Sequence, residues 1–196
     1  MIFPHSEESK SPHFSYTPSG AKWPVTNLTY SFMPDGTMIG VQANNLNAAL
    51  ASLGNWKAEI RRALDCWAAV TPLTFTEVAD SGLSVGTPGL THGDPRFGDI
   101  RFCGFASTST SWLGYTYYPS GFTTRGGDVS LNTTYQFAIG AYPDLFTIVL
   151  HETGHALGLA HVSFQGPIMY PYIANVKTGL HPDDIAGIQA LYGKKQ

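Results

Sequence analysis

Four residues of this chain are spaced to do chemistry together: His151, Glu152, His155 and His161, in the run His151-Glu152-Thr153-Gly154-His155-Ala156-Leu157-Gly158-Leu159-Ala160-His161. In a helix over Asp144 to Leu157, residues four apart share a face, so His151 and His155 point the same way with Glu152 beside them. Gly158 is suited to end that helix, because glycine takes a left-handed backbone conformation without steric penalty, and the turn swings His161 back as a third imidazole. Three neutral nitrogens around one divalent cation leave a fourth tetrahedral position for water, the arrangement of a catalytic zinc and not of a closed structural one. Glu152 is then placed to take a proton from that water. Two blander readings compete: a surface helix that carries three histidines by chance, and a zinc site that is folded but inactive.

Such a site needs a rigid support. Tyr142-Pro143-Asp144 opens the helix, proline being tolerated in the first turn and aspartate favourable at the positive end of the dipole. Leu145, Ile148, Val149 and Leu150 give it apolar flanks to wedge under a sheet. From about Asn55 to Val70, Trp56, Ile60, Ala63, Leu64 and Trp67 recur at helical spacing with Lys57, Glu59, Arg61, Arg62 and Asp65 opposite, which predicts a second helix packed by one face. Its start is open, since Asn47 to Leu53 can form an earlier turn that Gly54 interrupts. Strict alternation in Leu28-Thr29-Tyr30-Ser31-Phe32 predicts a half-buried strand, closed by a turn at Pro34-Asp35-Gly36. His181 to Gly193 predicts a short last helix, with His181 in its cap region and not on a metal.

Length and composition bound the rest. A chain of 196 residues holds one domain of ordinary size: an extended arm over residues 1–21, then a single globular unit over residues 22–196, expected to be a monomer. Charged residues are 13% of the chain and the formal net charge is -3, which argues against nucleic acid as a partner. No apolar run is long enough to span a membrane, and the residue mix fits a secreted enzyme. The first eight residues lack the basic start and apolar stretch of a signal peptide, so the chain reads as a mature or trimmed form without its export signal. Cys66, in the second helix, and Cys103, in a strand, are expected to be buried free thiols, neither of them activated as a nucleophile. Asn27-Leu28-Thr29 and Asn132-Thr133-Thr134 are glycosylation sequons.

The HETGHALGLAH run followed by Met169 in Pro167-Ile168-Met169-Tyr170-Pro171-Tyr172 resembles the metzincin zinc endopeptidases with their Met-turn. Met169-Tyr170-Pro171 is similar to the matrixins, whereas astacins and serralysins carry a metal-binding tyrosine where Pro171 stands. Lys22-Trp23 with Leu28-Thr29-Tyr30, the run Trp67 to Phe75, and Asp183-Asp184-x-x-Gly187-Ile188-Gln189-x-Leu191-Tyr192-Gly193 resemble the first strand, the passage from first helix to second strand, and the last helix of that family. The resemblance covers about Lys22 to Gly193, strongly at both ends and weakly over residues 79 to 135.

That resemblance implies an α+β, metzincin-like zincin fold: a twisted, mixed five-stranded sheet with three main helices and a cleft over the active-site helix. It implies a secreted, zinc-dependent endopeptidase acting on protein or peptide substrates, in which water on the zinc attacks the scissile carbonyl with Glu152 as general base. The oxyanion would be stabilised mainly by the zinc. Met169 becomes an apolar floor under the metal. Leu113, Gly114 and Tyr115, in an edge strand from Trp112 to Pro119, line the substrate cleft; Pro171 and Tyr172 form the wall of the pocket just past the scissile bond, and Thr147 limits its depth. A second, structural zinc is not expected, because Tyr115 and Ser130 stand where the family pattern has histidine. In the family a His-x-Asp pair of that site follows the third strand, whereas His92-Gly93-Asp94 precedes Gly98 to Phe102; His92 is expected to be an exposed loop residue. Asp128, with Asp99 beside it, is the candidate for a calcium site completed by loop carbonyls.

Overall fold

The computed structural model describes residues 21–196, so the arm expected over residues 1–21 lies, but for Ala21, outside them. Five strands make one mixed sheet: β1 (Asn27–Phe32), β4 (Thr74–Glu77), β5 (Ile100–Phe105), β6 (Gly114–Thr116) and β7 (Val129–Asn132), in the order β4-β1-β5-β7-β6. The first four in that order run parallel, and β6 closes the edge antiparallel to β7. Parallel strands need crossovers, and helix α2 (Trp56–Val70) supplies the one between β1 and β4. The structure thus has the mixed five-stranded sheet and the α+β architecture expected.

Helix α3 (Leu145–Ala156) lies inside the molecule, with every one of its residues buried. It packs on α2 and on β6. A buried helix must satisfy its own ends. At the N-terminus the Asp144 carboxylate accepts from the backbone N–H of Thr147 at 2.9 Å and from Gly140 at 2.7 Å. At the C-terminus the Trp23 indole donates to Ala156 O (2.9 Å) and the Tyr192 hydroxyl to Leu157 O (2.9 Å). The segment ahead of β1 and the last helix, α4 (Pro182–Tyr192), therefore both brace α3. On the α2 side, the indole of fully buried Trp67 donates to Thr153 Oγ1 at 2.9 Å.

Locally, the earlier turn left open ahead of α2 is present, and other features add to or depart from the sequence reading. The turn ahead of α2 is a one-turn helix α1 (Leu46–Leu50) continued by a 3-10 turn (Ala51–Leu53), and Gly54, at φ +66, breaks it from α2. A two-stranded hairpin, β2 (Met38–Ile39) with β3 (Gln42–Ala43), follows β1. Cys103 is buried but Cys66 is only half-buried; both are free thiols. Asn132, the second sequon, has no exposed surface and spends its amide on Ser109 O and Trp112 O, so only Asn27 remains on the surface.

Candidate metal centre and cleft

His151 and His155 project one turn apart from α3, both more than nine-tenths buried. His151 Nδ1 is 2.6 Å from Ile168 O, and His155 Nδ1 is 2.7 Å from Leu159 O. A carbonyl oxygen only accepts, so each ring carries its proton on Nδ1 and presents a lone pair at Nε2. These two Nε2 atoms lie 3.2 and 3.1 Å from Nε2 of His161. Nitrogens on two corners of a zinc tetrahedron stand about 3.3 Å apart, given Zn–N bonds of about 2.05 Å. The trio therefore fits a zinc ion, and among the described residues no other group of three His, Cys, Asp or Glu side chains converges in this way. Burial, with the neighbouring imidazoles, pushes His151 down to about 3 and His155 down to about 4, and burial also lowers His161. All three are thus neutral near pH 7, as ligation requires.

The turn that returns His161 is made as the glycine suggested. Gly158 sits at φ +101. Its N–H bonds His155 O at 2.9 Å while the Leu159 N–H bonds Gly154 O at 2.9 Å, the paired closure of a Schellman motif. A Cβ at Gly158 would run into Ala21 O. Met169 lies beneath the site, fully buried, its Sδ packed so closely on Gly154 that a Cβ there has no room. The turn carrying Met169 is pinned from α4: the buried Asp184 carboxylate accepts from the N–H of Ile168 (2.8 Å) and of Met169 (3.2 Å). Because Ile168 O also accepts from the His151 Nδ1–H, α4 reaches His151 through one backbone link. Sequence reading took Asp184 only as a helix-start residue. His181 is the N-cap of α4, as expected, in a reciprocal capping box with Asp184.

Glu152 is buried beside the trio, and desolvation pushes its carboxyl up to about 7, opposed by a hydrogen bond from Thr116. A carboxyl group poised there can exchange protons at neutral pH. Above it opens a cleft of about 720 Å³, lined by the three histidines, Glu152, Leu113, Gly114, Tyr115, Pro171 and Tyr172. One rim is β6, paired with β7 on one side and unpaired on the other. Thr147 does not line the cleft. It is 1% exposed, with its hydroxyl donating to Asp144 Oδ2 at 2.6 Å and accepting from the Lys177 N–H at 2.9 Å, so it belongs to the cap of α3. Ile148, next along the helix, faces the cleft instead. Thr116 and Tyr118, inside the run expected to border the cleft but not named as substrate contacts, also line it, as do Tyr135, Tyr142 and Ile173. Strand alternation from Gly114 points to Thr116; the last three come from separate segments. The Tyr118 ring stands edge-on to His155 with centroids 5.5 Å apart.

The matrixin family model matches residues 22–193, the span that holds the sheet, the trio, the turn under it and α4. The chain belongs to the matrixin family. Human matrix metalloproteinase-16 is 33% identical over 191 residues, covering 91% of this chain and 28% of that protein. Human neutrophil collagenase is 32% identical over 190 residues, 92% of this chain and 35% of that protein. Arabidopsis thaliana metalloendoproteinase 5-MMP is 31% identical over 189 residues, 92% of this chain and 48% of that protein. This matrixin chain thus spans between about a quarter and a half of these relatives.

Elsewhere in this matrixin, Tyr115 and Ser130 are cross-strand partners, and Cys103 Sγ lies 3.1 Å from Ser130 Oγ. His92 is not an exposed loop residue: it is half-buried, its Nδ1 is 3.0 Å from Asp99 Oδ1, and its ring is 6.5 Å from that of Trp23. Asp99 receives the Gly93 N–H on the same oxygen and the Thr29 N–H and hydroxyl on the other. Four partners fill the acceptor capacity of that carboxylate. Asp128 is its opposite, fully buried with neither carboxylate oxygen in a well-formed hydrogen bond. Burial drives its carboxyl well above the usual range, only partly offset by the Arg101 guanidinium and N–H.

Proposed function

We propose that this matrixin is a secreted, monomeric, zinc-dependent endopeptidase that hydrolyses peptide bonds within proteins. The observation that carries the reading is the convergence of three neutral Nε2 atoms, 3.1 to 3.2 Å apart along the His161 edges, next to a buried carboxyl at the base of an open cleft. His151, His155 and His161 hold the metal. When bound, zinc supplies Lewis acidity toward water and toward the substrate carbonyl oxygen. Glu152 accepts a proton from the attacking water at one carboxylate oxygen and delivers it to the departing amine nitrogen. The unpaired edge of β6, with Leu113, Gly114 and Tyr115, takes an extended peptide through main-chain hydrogen bonds. Pro171 and Tyr172 form the opposing wall, and Met169 keeps the floor dry and apolar. One zinc is held per chain, with Tyr115 and Ser130 unable to complete a second such site.

Turnover of a mixed peptide library by the purified chain tests this. Hydrolysis lost on chelation and restored by one equivalent of zinc is the expected result, and hydrolysis that survives complete metal removal contradicts it. Secretion and the monomeric state are checked by signal-directed export of the full-length protein and by sedimentation of the chain. The orphaned Asp128 carboxylate supports calcium as a second cofactor, oxygen being its preferred ligand. Calcium should then raise the melting temperature of the wild type and not of Asp128→Asn; no shift in the wild type removes calcium from the account.

A further inference from the structure

Strand β6 does more than border the cleft: it touches the proton-handling carboxylate at two points. Successive residues of a strand point to opposite faces, so Gly114 and Thr116 share the face turned to α3 while Tyr115 packs its ring against Phe105, Trp112 and Tyr117 on the other. At Thr116 the hydroxyl donates to Glu152 Oε2 at 2.7 Å. At Gly114 the absence of a side chain is what lets Glu152 lie where it does: a Cβ built there would sit 2.9 Å from both Cγ and Oε1 of Glu152 and 3.0 Å from Cδ. One strand position leaves the space and the position two residues on supplies the tether.

We propose that Thr116 is a positioning residue for catalysis, its hydroxyl anchoring Oε2 of Glu152 so that Oε1 is the oxygen left to receive the proton of the attacking water. This rests on the reading of Glu152 as general base. A glutamate side chain has three rotatable bonds, and burial alone does not choose among its carboxylate orientations. A hydroxyl is suited to the task because it donates a hydrogen bond without bringing a positive charge, which would hold the carboxylate in its ionised form too firmly to pass a proton on. The donor also comes from the strand that binds the peptide, so the register of the substrate and the orientation of the base are set by one short strand. A misplacement of about 1 Å in such a group costs on the order of a hundredfold in rate.

The test compares Thr116→Val, which keeps the shape and removes the donor, with Thr116→Ser, which keeps the donor. Thr116→Val should lower kcat about tenfold to a hundredfold, the worth of one hydrogen bond to a charged group. KM, zinc content and melting temperature should stay near the wild type, and Thr116→Ser should restore kcat to within about threefold. A crystal structure of Thr116→Val should show the Glu152 carboxylate rotated away or split between conformers. Where Thr116→Val fails to fold, the Thr116→Ser and Thr116→Ala pair decides, since these differ by the hydroxyl alone, and equal kcat overturns the proposal. Wild-type kcat in Thr116→Val, or an unmoved Glu152 carboxylate, likewise overturns it. Glu152→Gln separates the two levels: inactive Glu152→Gln beside a fully active Thr116→Val removes only the tether, whereas an active Glu152→Gln removes the general base as well.

Discussion

Single side chains carry the chemistry here because their environments fix their protonation. In the zinc-free protein His151 and His155 are neutral well below the ordinary imidazole value of 6.5, at about 3 and about 4, because charging them in the interior costs solvation. The unfolded chain binds protons below pH 6.5 that the folded one refuses, so folding stability falls as pH drops from about 6.5 toward 4. Glu152 acts in the opposite sense, since its carboxyl is raised from 4.5 to about 7 and stabilises the fold on acidification across that interval. The raised carboxyls of Asp128 and Asp184 act with Glu152, so the imidazoles are opposed, and removing one opposing group should expose them: the metal-free Glu152→Gln variant should lose melting temperature more steeply than the metal-free wild type as pH falls from about 6.5 to 4.5. Scanning calorimetry of both against pH checks this, and parallel profiles over that range contradict it. The grouping of the three histidines with Glu152 was legible in the sequence because they lie on one helix and the turn after it, where spacing alone fixes geometry. Thr116 and Asp184 were not, because each meets its partner only after distant segments have packed.

At the level of elements, α3 and the turns around it decide whether the trio converges. Gly158→Ala forces a side chain onto a left-handed backbone and against Ala21 O. It should cost about 1–3 kcal/mol of stability and weaken zinc binding by moving His161, which equilibrium unfolding and metal titration would report. Asp184→Ala leaves the N–H groups of Ile168, Met169 and His181 without their shared acceptor. That should cost about 3 kcal/mol and loosen the Met169 turn, and denaturant unfolding of this variant should show it. Helix α2 and strand β1 were readable from periodicity. Helix α1, of five residues, was legible only as an open turn before Gly54, and the β2–β3 hairpin, of two-plus-two residues, is too short for a period to register. The sequence put Thr147 on the right helix but could not say what would cover it; the capping geometry of Asp144 claimed it first.

On the scale of the whole molecule, the sheet, α2 and α4 hold a fully buried helix rigid while one sheet edge stays open to a cleft. Zinc that binds only the folded chain must stabilise it by linkage, by about 4 kcal/mol when free zinc is a thousandfold above its dissociation constant. Chelation should therefore lower the melting temperature together with activity, and activity lost with an unchanged melting temperature would place the metal elsewhere. The family and the mixed sheet could be anticipated from motifs at the two ends of the chain. The middle, residues 79 to 135, could not, because there the pattern of metal ligands gives way to Tyr115, Ser130 and a His92–Asp99 contact that only the folded chain brings together. The most direct measurement of the central claim is peptide turnover and bound zinc in Glu152→Gln. One zinc per chain with turnover reduced about a hundredfold to ten-thousandfold is the predicted result; turnover equal to the wild type would contradict it.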